Sequence, residues 1–209
     1  LHAISGLLPD GGAVRIDGRP AAERRNDVAY VLQTQHVASQ LPVTAREVVS
    51  LGRTPSVGPL RRLRRSDRDL IDQALRRMEL DELADRHLTE MSGGQRQRVF
   101  IAQGLVQDAE ILLLDEPVAG LDLASTARIM AAVAEERERG RTVIVATHDL
   151  EEAAEADCSI LLARRVVASG PPAGVLTPAN LREAYAGRVL DIDGHVFAID
   201  DGAHHHHDL

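Results

Sequence analysis

At 209 residues with 44% apolar side chains, the chain can bury a core of its own and fits one domain carrying a subdomain better than two full domains. A formal charge of -8 excludes a general nucleic-acid binder, and no run approaches the roughly 18 apolar residues a membrane-spanning helix needs. The single cysteine, Cys158, excludes an intrachain disulfide and suits a reducing compartment.

The opening "LHAISGLLPDGG" reads as the end of an apolar helix with no start signal, stopped by Pro9 and a glycine pair. It carries neither the basic n-region nor the cleavage site of a signal peptide, and the expectation is of a chain that continues something preceding Leu1. "AVRIDG" and "DVAYVLQ" follow as short strands bounded by Gly and Asp. From Thr44 the pattern turns helical and Arg-rich. Thr44 with Glu47, Ser66 with Asp69, and Ser92 with Gln95 each have capping-box spacing, opening the helices "AREVVSLGR", "DRDLIDQALRRMEL" and "GQRQRVFIAQGLV". "AEILLLDEP" and "RTVIVATHD" are near-continuous apolar strands of the kind covered on both faces in a parallel sheet. Between them "DLASTARIMAAVAEERERG" is an amphipathic helix capped by Asp122 and ended at Gly140, so the three form a βαβ unit. "CSILLARRVVASG" predicts a hairpin, "TPANLREAY" a helix with Thr177 as N-cap and Pro178 at its first position, and "HVFAIDDG" a late strand. The fold class is therefore α/β, a parallel-sheet core (1–35 and 107–209) interrupted by a helical subdomain (36–106).

Three stretches carry chemistry. "ILLLDEP" delivers Asp115 and Glu116 to the carboxyl end of a strand, where a parallel sheet opens on its ligand crevice. Two desolvated acids there suit a Mg²⁺ shell for Asp115 and a water for Glu116 as base or orienter; a solvated strand end is the alternative. "MSGGQ" places Ser92, Gly93, Gly94 and Gln95 at a helix start, where glycine lets backbone approach a ligand and free N–H groups bind anions. "VATHD" sets His148 just past the next strand end, on the same sheet edge as the acids, and Gln33 ends an earlier strand where its amide could reach a metal or water.

Taken together and in this order, these stretches resemble the ATP-binding cassette of ABC transporters over nearly the whole chain. "VLQ" resembles the Q-loop, "MSGGQ" the signature, "ILLLDEP" Walker B, "AGLD" the D-loop and "ATHD" the switch-histidine loop. The resemblance implies a RecA-like P-loop NTPase core and an ATPase using ATP and Mg²⁺. It implies catalytic roles for Glu116, His148 and Gln33, metal contacts from Asp115 and Gln33, and nucleotide contacts from Ser92, Gly93, Gly94, Gln95 and Asp122. It further implies a head-to-tail homodimer at the cytoplasmic face of the cell membrane, working with permease subunits and a substrate-binding protein. The stretch from Thr44 to Asp122 is similar to the manganese/zinc importer branch, and "VVSLGR" also occurs in iron-chelate importers. In the family the "GxxxxGK[ST]" loop stands just before the helix that Leu1 to Leu8 would continue. No Lys occurs in this sequence, so the expectation is a cassette truncated before that loop, with a non-catalytic fragment as the rival reading. Met91 stands where the family has Leu, and Gln103 where Arg is usual. The basic run Arg61 to Arg65 reads as a face near the membrane subunit or a solvated helix surface. The histidines 204–207 read as a tag remnant or a metal-binding tail.

Overall fold

A computed structural model describes residues 1–7, 14–32, 42–58 and 62–185, together with the backbone of 189–192 and 195–198. Gln33, Arg61, the predicted stop at Pro9 and the histidines 204–207 lie outside the described residues. The chain divides into two compact units, 1–146 and 147–209, each taken by itself below.

In the first unit the opening residues make a single helical turn, with Ser5 N–H donating to Leu1 O at 3.0 Å. The turn ends at Gly6 (φ 71°), before the predicted stop, because the Leu7 N–H folds back on His2 O (3.2 Å) in the manner of a Schellman closure. β1 (Arg15–Ile16) and β2 (Arg19–Pro20) form an antiparallel hairpin around Asp17 and Gly18, both at positive φ as a two-residue turn requires. β3 (Val28–Val31), β4 (Ile111–Asp115) and β5 (Thr142–Ala146) then build a parallel sheet in the order β3-β4-β5. The middle strand, β4, buries Leu112, Leu113 and Leu114 on both faces. β5 departs from the expectation of a strand covered on both faces: Val143, Ile144 and Val145 are only half-buried. Among the described residues β5 pairs with β4 alone, which accounts for the difference.

Between β3 and β4 run α1 (Ala45–Leu51), α2 (Thr54–Val57), α3 (Arg65–Arg77) and α4 (Gly93–Leu105). α1, α3 and α4 share one continuous core with the sheet: Val49, Ile71, Leu75, Met78, Leu88, Val99 and Ile101 pack in the same cluster as Val31, Leu112 and Leu114. Met91 belongs to that cluster, so the Leu-to-Met departure stays apolar and buried. The Thr44–Glu47 box is formed, with Thr44 N–H donating to Glu47 Oε2 at 2.7 Å. The Ser66–Asp69 box is not. α3 starts one residue before Ser66, and its first turn is closed by Asp67, whose Oδ2 accepts from Arg64 N–H at 2.9 Å. Burial decides this: Asp67 is 4% exposed and its Oδ1 is also paired to Arg53, an anchor that Asp69 at the surface lacks.

α5 (Leu123–Glu138) crosses from β4 to β5 and ends at Gly140 (φ 79°). Its Glu136, 1% exposed, is a buried carboxylate held by three arginines: Arg77 Nη2 at 2.6 Å from α3, Arg139 Nη1 at 2.9 Å and Arg141 Nη1 at 2.5 Å. Arg141 also pairs with Asp108 in the turn leading into β4. The end of α3 is fastened further by Arg98 Nη1 donating to Met78 O (2.9 Å) and by Arg128 donating to Arg77 O. α3, α5 and the strand entrances are thereby tied by charge as well as by apolar packing.

In the second unit, α6 (Leu150–Ala154) precedes the antiparallel hairpin of β6 (Ser159–Leu162) and β7 (Val166–Gly170). α7 (Pro172–Val175) and α8 (Pro178–Ala184) follow, the latter capped by Thr177 as the sequence predicts. β8 (Val189–Ile192) pairs antiparallel with β9 (His195–Ala198), the late strand.

Removing a buried ion-pair partner leaves its counter-charges without compensation, at about 3 kcal/mol. Glu136→Ala is therefore expected to lower the free energy of unfolding by about 3 kcal/mol, read from a urea titration; a loss under about 1 kcal/mol would show that Arg77, Arg139 and Arg141 are satisfied without it.

Candidate functional site

The site begins where β4 runs out of leucine. Register pairs Asp115 with Ala146 of β5, so the two strands end together, and the Glu116 N–H donates to Ala146 O at 2.9 Å as the last rung of the ladder. Asp115 and Glu116 are each half-buried, while Pro117 behind them is buried. Glu116 adopts φ 44°, a left-handed conformation that costs a non-glycine residue about 1 kcal/mol or more. A helix or strand continuing from β4 would not need it; the backbone enters a turn there, with Ala119 N–H donating to Glu116 O at 3.4 Å.

Asp115 has a partner that the sequence reading missed. Tyr30 on β3 donates its hydroxyl to Asp115 Oδ2 at 3.2 Å, and the His2 ring stands edge-on to the Tyr30 ring with centroids 5.3 Å apart. Burial first, then the Asp115 charge and this hydrogen bond, push the Tyr30 phenol up to about 12, so it remains a donor at neutral pH. The sequence reading of this strand singles out Gln33 alone and so passes over Tyr30.

The second half of the first unit's candidate site is the start of α4. Ser92 Oγ accepts from Gln95 N–H (3.2 Å) and Gln95 Oε1 accepts from Ser92 N–H (2.9 Å), completing the predicted capping box. Gln95 is thereby engaged with its own helix start. The N–H groups of Gly93 and Gly94 fall in the first turn, where no intrahelical acceptor exists. The two glycines differ. A Cβ on Gly93 would meet nothing within 4 Å, whereas one on Gly94 would sit 2.4 Å from Ser125 Oγ and 2.8 Å from Asp122 Oδ2. The Cα of Gly93 thus has open space beside it, and that of Gly94 faces the start of α5.

Asp122 spends its carboxylate on that helix start. Oδ1 accepts from Ser125 N–H (2.8 Å) and Oδ2 from Ser125 Oγ (3.0 Å). Those hydrogen bonds, from the Ser125 backbone first and its hydroxyl second, hold the carboxyl below the usual aspartate range. Ser125 was not singled out by sequence, although Asp-x-x-Ser at a helix start is the spacing at which an N-cap oxygen meets the N3 amide.

His148 follows the end of β5 by two residues and belongs to the second unit. Its loop is pinned on either side: Thr147 Oγ1 accepts from Asp149 N–H (3.0 Å), and Asp149 Oδ1 accepts from Glu151 and Glu152 N–H (2.7 and 3.2 Å), capping α6. Gln33 lies outside the described residues. The structure thus brings Asp115 and Glu116 together at one strand end, and Ser92, Gly93, Gly94, Asp122 and Ser125 at the joined starts of α4 and α5.

Among the described residues no group of three or more His, Cys, Asp or Glu is placed to hold a metal ion. A single carboxylate suits Mg²⁺, which keeps waters and substrate phosphate oxygens as its other ligands, and Asp115 at an open strand end fits that role. The unpartnered first-turn amides and open Gly93 likewise fit an anion.

Residues 1–119 match the family described as "ABC transporter". The manganese transport system ATP-binding protein MntB of Bacillus subtilis (strain 168) is 37% identical over 200 residues, covering 95% of this chain and 80% of that protein. The zinc transport system ATP-binding protein TroB of Treponema pallidum (strain Nichols) is 39% identical over 191 residues, covering 90% and 72%. A solved ATP-binding cassette, dimeric in a post-hydrolysis state with ADP and Pi, superposes with a TM-score of 0.69 at 28% identity over 82% of this chain and 78% of that one.

The Asp122 cap gives a pH-dependent contribution to stability. A carboxyl whose folded-state pKa is lowered stabilises the fold above its unfolded pKa, and the contribution is lost as pH falls through the folded value. The urea midpoint of Asp122→Ala is expected below that of the parent at pH 7, with the gap closing below about pH 4; a gap that persists unchanged in acid would contradict the cap.

Proposed function

The chain belongs to the ABC transporter family, and on that premise we propose that it is the ATP-binding, ATP-hydrolysing subunit of an importer for a divalent metal ion. The observation that carries the reading is the end of β4, where an apolar parallel strand delivers Asp115 and Glu116 together with a backbone turn between strand and loop.

In this reading Asp115 holds Mg²⁺, its carboxylate steadied by Tyr30, and Mg²⁺ when bound offsets the negative charge of the phosphate oxygens. Glu116 orients a water and accepts its proton as the water oxygen bonds to the γ-phosphorus and the bond to the bridging oxygen of ADP breaks. By resemblance to the family, Gln33 is assigned to metal and water and His148 to the γ-phosphate. Ser92 and Gly93 at the start of α4 meet the nucleotide of a partner subunit in a head-to-tail dimer, as anion-binding helix termini do. Two cassettes then work against permease subunits at the cytoplasmic face of the membrane, with a substrate-binding protein delivering the cargo. Residues 1–209 belong to a single cassette domain, with the 36–106 segment as its helical subdomain. Similarity to manganese and zinc transport proteins supports a divalent metal as cargo. Among the described residues no helix is long and apolar enough to cross a membrane.

In a form of the protein that carries the "GxxxxGK[ST]" loop, Glu116→Gln is expected to lower ATP turnover by about a hundredfold or more, the usual worth of a positioned base, while nucleotide binding is retained. Turnover close to that of the parent would assign the proton to another group and overturn the role of Glu116.

A further inference from the structure

Two helix starts meet at one point in the first unit. The N-terminus of α4, which carries Ser92 and Gly93, and the N-terminus of α5, capped by Asp122, approach until Gly94 is buried against the cap. The approach leaves no room for a side chain: an added Cβ would fall 2.4 Å from Ser125 Oγ, 2.8 Å from Asp122 Oδ2 and 3.1 Å from Ser125 Cβ. Real Cβ contacts essentially never close below 3.0 Å, so something must shift. Ser125 is 4% exposed and is held twice by Asp122, through its backbone N–H and through its hydroxyl. Moving that hydroxyl aside breaks the Oδ2 bond; keeping it pushes the first turn of α4 away. Gly93, one residue earlier, has open space on its α-carbon and no such constraint.

We propose that position 94 is glycine to admit the Asp122–Ser125 cap, and that Ser125 is a positioning residue that sets where Ser92 and Gly93 stand. The glycine pair then has two separate duties. Gly93 presents its face outward, and Gly94 locks α4 to α5, so the segment that meets a phosphate and the turn following Glu116 move as one body. The functional part of this inference rests on the ATPase reading above; the packing part does not.

The test is a double-mutant cycle in a form of the protein that carries the "GxxxxGK[ST]" loop, with denaturant midpoints and ATP turnover measured for Gly94→Ala, Ser125→Ala and the two combined. Ser125→Gly, which also removes the Cβ, serves as a second relieving variant, and the denaturant midpoint of Gly93→Ala as a control for the loss of glycine alone. Gly94→Ala is expected to lower the denaturant midpoint and to cut kcat by about tenfold to a hundredfold through displacement of the α4 start. Adding Ser125→Ala or Ser125→Gly is expected to restore the midpoint and to bring kcat to within about threefold of the Ser125 single variant, a non-additivity that only groups in contact show. If Gly94→Ala does not fold, folding of a combined variant supports the proposal and failure of both combined variants overturns it. Additive midpoints overturn the packing. Recovered midpoints with turnover still as low as in Gly94→Ala overturn the positioning role and return Gly94 to direct contact with nucleotide. If a parent that carries the "GxxxxGK[ST]" loop turns over no ATP, the ATPase reading fails and the positioning role with it, while the midpoints still decide the packing.

Discussion

Everything at the site depends on β4 being buried on both faces. Leu112, Leu113 and Leu114 are inaccessible, and β3 and β5 pair with the strand on its two edges, so it has no freedom to slide or rotate. A strand so fixed can place polar groups only where it emerges, and the first residues to emerge are Asp115 and Glu116. The common ending of β4 and β5, with Glu116 N–H on Ala146 O, and the left-handed backbone at Glu116 then end the strand at those carboxylates. Burial energy therefore fixes the position of ionisable groups that could not hold it on their own.

Around that strand the fold uses two kinds of tie. The apolar core joins α1, α3 and α4 to the sheet without a seam, which makes the helical segment a layer of the first unit. The buried Glu136 with Arg77, and Arg128 on the carbonyl of Arg77, fasten α3 to α5, while Arg98 on the carbonyl of Met78 fastens the end of α3 to α4. In a chain without lysine these are all guanidinium contacts, which bond carboxylates and carbonyls directionally. α5 is thus anchored at one end by Glu136 and at the other by Asp122 and Ser125, next to the start of α4. A displacement at either helix start is resisted along the length of α5.

Periodicity and capping chemistry made much of this legible in sequence. The βαβ unit, the Thr44, Ser92, Asp122 and Thr177 caps and the β6–β7 hairpin follow from local rules, because each is decided by residues within a few positions of one another. Ser66 misled for the opposite reason: its local spacing was right, but Asp67 had a distant partner in Arg53 and was buried with it. Tyr30 and Asp115 lie 85 residues apart, and the contact of Gly94 with Ser125 depends on how two helices approach, so neither could be read from spacing. The half-burial of β5 belongs with these, since an apolar run reports the strand but not how many neighbours it has.

The central claim is that the end of β4 serves a metal–nucleotide pair. Its most direct test is ATP affinity with and without Mg²⁺, measured by equilibrium titration for the parent and for Asp115→Asn, both carrying the "GxxxxGK[ST]" loop. The account predicts that Mg²⁺ tightens binding in the parent and that Asp115→Asn removes most of that gain while leaving metal-free binding in place. Equal tightening by Mg²⁺ in both proteins would contradict it, and would place the metal away from the strand end on which the rest of the site is built.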